Sequence, residues 1–131
     1  MEKLNVKSLE QVLGSLKIAW NKYNEQPDDE FVRDSVIQRF ECTYALAVKY
    51  IQKYLEMILS NSDEVDNYTF NELIRTANEK GLLLSNLEKW AIYRQRRNIT
   101  SHTYNIEKAL QVLEIMQDFI EDSEYLYNKI K

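Results

Sequence analysis

The chain has 131 residues, the length of about one domain, and we expect residues 1–131 to form a single domain. Two glycines and one proline are too few for hairpin turns or glycine-rich nucleotide loops, and the single cysteine and histidine exclude an internal disulfide and a zinc site built from these residues. The net charge of -4 argues against a protein that coats nucleic acid in general. The lack of a long apolar stretch or signal-like start predicts a cytoplasmic protein outside the membrane. We expect no cofactor.

Apolar residues recur every three or four positions from the start of the chain, which predicts α-helices. The first helix begins near Ser8, which with Gln11 has the pattern of a capping box, and ends before Pro27. A second helix, predicted for residues 29–59, would be about 45 Å long. Because it carries two neighbouring apolar stripes, it has either a wide core face or a second face for a partner chain. We expect Cys42, within this helix, to be buried.

The polar residues 61–68 predict the clearest connection between two helices. Thr69 and Glu72 then have the spacing of a capping box and predict the start of a short helix. Gly81 is expected to end that helix, because glycine readily adopts the left-handed conformation found after helix C-termini.

Two more helices are predicted in the last third of the chain. One spans residues 85–101, and the other spans residues 106–130 with Asn105 as its N-cap. The predicted fold is therefore all-α: an up-and-down four-helix bundle with an additional short helix.

The densest group of chemically useful side chains straddles the predicted end of helix 85–101. Residues 88–108 carry a net charge of +3, and the rest of the chain carries -7. A basic, hydroxyl-rich region in an acidic protein concentrates a potential that attracts phosphate. The group comprises Arg94, Arg96, Arg97, Asn98, Thr100, Ser101, His102 and Tyr104.

Metal-free cleavage of an RNA phosphodiester needs a base for the 2′-hydroxyl proton, a cation for the phosphorane and a proton donor for the leaving oxygen. Histidine and arginine supply these functions near neutral pH. Arg97 and His102 would lie about 140° apart on an ideal helix, so they converge only if the helix ends near Ser101, if the arginine bends round, or if a twofold axis adds a second copy. A dimer would also supply a second histidine to act as the acid.

Spacing alone leaves a structural alternative open. Basic residues in a last helical turn complement the partial negative charge of the helix C-terminus. Serine, threonine and histidine at such a position also cap the free carbonyl groups. The same residues can therefore stabilise a helix end without binding any ligand.

The string Arg97-Asn98-Ile99-Thr100-Ser101-His102-Thr103-Tyr104 resembles the signature of HEPN domains: arginine, a polar residue, three further residues and histidine, here with tyrosine two places on. The whole chain resembles the small HEPN proteins first described as nucleotidyltransferase substrate-binding proteins. Residues 31–53, FVRDSVIQRFECTYALAVKYIQK, are similar to the second helix of that family, and residues 81–104 are similar to its later half.

The resemblance implies a homodimer with Arg97 and His102 of both chains facing one cleft. It implies the toxin of a toxin–antitoxin pair, a metal-independent endoribonuclease acting on tRNA or mRNA, whose antitoxin is a minimal nucleotidyltransferase. By the same resemblance His102 transfers protons, Arg97 binds phosphate and stabilises the transition state, and Asn98 orients one of them or contacts RNA. Tyr104 matches the tyrosine to which the nucleotidyltransferase attaches AMP to silence the toxin. Arg94, Arg96 and Ser101 are candidates for binding the substrate or supporting the site.

Three positions depart from the family pattern. Relatives often have an aromatic residue, a glutamate and a tryptophan where this chain has Cys42, Ala45 and Val48. A second hypothesis is a non-catalytic subunit that presents a nucleotide or substrate to the nucleotidyltransferase. In that case the arginines hold phosphate and His102 is structural.

Overall fold

The computed structural model describes residues 4–131, and within this range the chain is helical with no β-strand. The all-α prediction is therefore confirmed. The α-helices are α1 (Lys7–Glu25), α2 (Glu30–Ile58), α3 (Ser62–Val65), α4 (Phe70–Glu79), α5 (Leu87–Asn98), α6 (Ile106–Glu114) and α7 (Met116–Ile130), and a 3₁₀ turn (Thr100–His102) lies between α5 and α6. None of the described helices has the length and apolar content needed to cross a membrane.

Local sequence signals explain most of the helix boundaries. The Asp29 carboxylate accepts hydrogen bonds from the backbone N–H groups of Phe31 and Val32, which starts the 29-residue α2 where the acidic run predicted it. Thr69 forms the predicted capping box with Glu72 at the start of α4. Gly81 follows α4 with a φ of +76°, a left-handed conformation that suits glycine.

Several predicted boundaries and environments are wrong. Helix α1 begins at Lys7, so Ser8 lies inside its first turn, and the Asn5 side chain accepts a hydrogen bond from the Lys7 backbone N–H. The final helix is divided at Ile115, whose ψ of 0° departs from helical values without a glycine or proline. The connection 61–68 contains α3. Cys42 is exposed, because it lies two positions, or about 200°, from the buried Phe40.

The core is centred on Phe119, a fully buried residue of α7. Its ring makes edge-to-face contacts with Phe40 of α2 at 4.8 Å and with Tyr93 of α5 at 5.2 Å between ring centroids. Trp90 and Tyr44 also lie within 6.4 Å of it. These contacts hold α2, α5 and α7 together and thereby fix the helix that carries the predicted site.

A buried polar cluster also joins α5 to α7. Asp122, only 1% exposed, accepts hydrogen bonds from the Tyr93 hydroxyl and, at 2.9 Å, from the Ser85 hydroxyl. Burial raises the pKa of Asp122 and, together with the hydrogen bond to this carboxyl, the pKa of Tyr93. The cluster anchors α5 at Tyr93 and thereby restrains rotation of this helix. Tyr93 lies one helical turn before Arg97.

Candidate functional site

The segment that carries the predicted site joins two helices through a 3₁₀ turn. Helix α5 ends at Asn98, the 3₁₀ turn follows, and α6 begins after Asn105, whose side chain accepts hydrogen bonds from the backbone N–H groups of Glu107 and Lys108. The Thr100 hydroxyl donates to the Arg97 carbonyl at 2.8 Å, and the Thr103 hydroxyl donates to the Thr100 carbonyl at 3.0 Å. His102 thus lies beyond the end of α5, which meets the first of the three conditions for its convergence with Arg97.

Arg97 is held in place but remains accessible. Its Nη1 donates a hydrogen bond to Oγ1 of Thr100 at 3.1 Å, and its Nη2 lies 3.6 Å from a carboxylate oxygen of Glu41 on α2. The side chain is still 39% exposed. A guanidinium has five N–H donors, so these two contacts leave donors available for an anion.

Glu41 was not predicted from the sequence, since it lies 56 positions before Arg97 and only packing brings the two together. The one signal in the sequence that could have indicated Glu41 was its position directly after the core residue Phe40. Of the positions that depart from the family pattern, Ala45 is exposed and Val48 is half-buried.

His102 and Tyr104 are both exposed, and Tyr104 exposes 89% of its surface. Their rings lie 6.4 Å apart in an edge-on arrangement. No hydrogen bond to the imidazole is found among residues 4–131. Both side chains are therefore open to a ligand or a partner.

Arg94 and Arg97 lie one turn apart on α5. The positive charges of both act on the hydroxyl of the buried Tyr44 of α2. Burial raises the pKa of Tyr44 to about 12, although the two guanidinium groups act to lower it. Tyr44 is therefore protonated at physiological pH. The guanidinium of Arg94 lies over the ring of Phe70, with 4.7 Å from its central carbon to the ring centroid.

The remaining predicted residues have different surroundings. Arg96 points to α6, where its Nε donates to the Gln111 carbonyl at 3.1 Å and its Nη2 lies 3.3 Å from the Glu114 carboxylate. Asn98 and Ser101 are exposed, with no side-chain hydrogen bond among the residues that the structure describes. The structure thus brings Arg94 near Arg97 and His102 near Tyr104, while Arg96 belongs to the α5–α6 contact. Within residues 4–131 no cluster of three or more potential metal ligands occurs.

The family model described as nucleotidyltransferase substrate-binding protein-like matches residues 4–131. The chain belongs to this HEPN-type family. A protein from Haemophilus influenzae named "Probable ribonuclease HepT" is 35% identical over an alignment of 128 residues that covers 95% of this chain and 85% of the relative. The family resemblance predicted from the sequence is therefore confirmed.

Two solved structures share the fold of this chain. The Haemophilus influenzae protein HI0074, described as having the fold of a substrate-binding domain of a nucleotidyltransferase, superposes with a TM-score of 0.89 at 30% identity, over 96% of this chain and 98% of that protein. A protein from Thermus thermophilus superposes with a TM-score of 0.72 at 26% identity, over 94% and 98% of the two chains.

Proposed function

We propose that this chain is the toxin of a HEPN toxin–antitoxin pair, a metal-independent endoribonuclease that acts through Arg97 and His102. One observation carries the proposal: an accessible imidazole follows a helix whose last turn holds a fixed, partly exposed guanidinium. The relative named as a probable ribonuclease supports it.

In the proposed reaction His102 takes the proton of a ribose 2′-hydroxyl as that oxygen attacks the adjacent phosphorus. The new O–P bond forms, the bond from phosphorus to the 5′-oxygen breaks, and the products are a 2′,3′-cyclic phosphate and a 5′-hydroxyl. Arg97 stabilises the negative charge that accumulates on the phosphorane oxygens. Asn98 and Ser101, both exposed beside these residues, are available to contact the RNA.

The leaving 5′-oxygen needs a proton while His102 is still acting as a base. A homodimer that brings both copies of His102 to one cleft meets this requirement. Large apolar side chains that follow His102 in the chain support a protein contact there, since Tyr104, Ile106 and Leu110 are all substantially exposed.

The test is to incubate the purified chain alone with RNA in the presence of EDTA. We expect cleavage to persist, because the proposed chemistry uses an imidazole and a guanidinium, and the 5′ fragments should end in 2′,3′-cyclic phosphate. Electrophoresis and mass spectrometry of the fragments provide the measurement. A folded chain that leaves RNA intact, or cleavage that EDTA abolishes, would contradict the proposal.

Tyr104 is the proposed site of silencing by the partner nucleotidyltransferase. Its phenol oxygen would attack the α-phosphorus of ATP, with loss of its proton and release of pyrophosphate. The added charge and bulk, next to His102, would repel an RNA phosphate. Co-expression with the partner should therefore add the mass of one AMP, located on Tyr104 by peptide mass spectrometry, and remove RNA cleavage. Tyr104→Phe is the control and should stay unmodified; modification of that variant would refute the assignment.

A second candidate function is a non-catalytic subunit that binds a nucleotide for the nucleotidyltransferase. The description of HI0074 as a substrate-binding domain favours it, and Arg94 and Arg97 would hold the nucleotide phosphates. The two functions differ in one result. A chain that binds the nucleotidyltransferase tightly but never cuts RNA supports the second.

A further inference from the structure

Arg94 differs from the two other arginines at the end of α5. Arg96 and Arg97 each lie within 3.6 Å of a carboxylate, that of Glu114 and that of Glu41 respectively. For the Arg94 guanidinium, no hydrogen bond and no ion pair is found within residues 4–131. Its guanidinium lies over the ring face of Phe70, and the residue is exposed.

The Arg94 guanidinium is planar, and its central carbon lies over the ring of Phe70. Phe70 is well anchored because it is the first residue of α4, directly after the Thr69 capping box. Because Arg94 is exposed, the side of its guanidinium away from the ring is accessible to a ligand. Planar cations in this arrangement stack on nucleobases, and single-stranded RNA is recognised on such guanidinium and aromatic planes.

The position of this plane relates it to the proposed cleavage site. Arg94 lies one helical turn before Arg97, and the positive charges of both act on the same Tyr44 hydroxyl. A phosphate bound by Arg97 would therefore have Arg94 beside it. The adjacent nucleotide is then within reach of the open guanidinium face.

We propose that Arg94 and Phe70 form a nucleobase subsite, in which a base next to the cleaved phosphate of a single-stranded RNA stacks on the Arg94 guanidinium. This inference rests on the proposed ribonuclease function. Every base has a flat π-face, so the subsite selects unstacked, single-stranded RNA over duplex RNA without requiring one sequence.

The subsite is tested by RNA binding in the full chain with His102→Ala, so that cleavage does not interfere. Fluorescence anisotropy would compare a single-stranded oligonucleotide with versions that lack one base at successive positions. Loss of one particular base should weaken binding about tenfold. Arg94→Lys keeps the charge but loses the plane, and Phe70→Leu keeps an apolar side chain but loses the ring. Each should weaken binding of the intact oligonucleotide by a similar factor and remove the penalty for the missing base.

Two matched variants provide the controls. Phe31→Leu and Arg33→Lys make the same exchanges at the start of α2 and should leave affinity unchanged. The subsite is overturned if Arg94→Lys and Phe70→Leu bind the intact oligonucleotide and the one lacking a base with the affinities of the parent. It is also overturned if these variants lose affinity equally for the two oligonucleotides, or if no single-stranded RNA binds. The ribonuclease proposal fails separately, when the unsubstituted chain does not cleave RNA.

Discussion

Replacing either His102 or Arg97 with alanine is expected to lower the rate of RNA cleavage by about 10²- to 10⁴-fold. Loss of a general base or acid costs a factor in this range, and loss of one group that stabilises transition-state charge costs about 10²- to 10³-fold. His102 is exposed, and the Arg97 side chain is 39% exposed, so neither exchange removes core packing. Single-turnover cleavage of a defined oligonucleotide would measure the rate.

The control for Arg97→Ala removes one positive charge elsewhere. Lys22→Ala takes one positive charge from the exposed end of α1, which packs against α2 and α7, and it should cleave at the parent rate. Circular dichroism should show the same helix content in all three variants. Full activity in His102→Ala would remove the imidazole from the mechanism.

Replacing Phe119 with alanine is expected to lower the free energy of unfolding by about 3–5 kcal/mol. The cost combines lost burial of a large aromatic side chain with the cavity left among rings from α2, α5 and α7. Small domains are stable by about 5–15 kcal/mol in total, so the variant should unfold at much lower denaturant concentration. Urea unfolding followed by circular dichroism would measure the change.

Phe31→Ala is the matched control, because it makes the same exchange at a residue that is already 79% exposed. Its free energy of unfolding should stay within about 0.5 kcal/mol of the parent value. A similar loss in both variants would mean that the rings around Phe119 do not form the centre of the core.

Local patterns in the sequence were sufficient to predict most helices and their capping residues. The spacing of apolar residues, the Thr69 and Asn105 caps and the glycine at position 81 act within one or two turns, and the structure contains all of them. Arg97 and His102 were also recognisable as candidates, since they lie only five positions apart in the chain.

The contacts of the candidate site that the sequence did not reveal join distant segments, and two local features also gave no signal. The pairing of Arg97 with Glu41 and the stacking of Arg94 on Phe70 require α2, α4 and α5 to be packed first. The break at Ile115 has no proline or glycine to announce it. Cys42 lies in a helix with apolar residues on two sides, so composition could not show which side faces solvent.

The exposed position of Cys42 gives every chain one accessible thiol, since the sequence has a single cysteine. A spin label attached there puts one paramagnetic centre on each polypeptide. Any dipolar coupling between labels in dilute solution then arises between two chains, and its strength reports their separation. The distance between two labelled copies of Cys42 therefore tests the proposed dimer, in which two copies of His102 share one cleft. The measurement requires neither RNA nor an active enzyme.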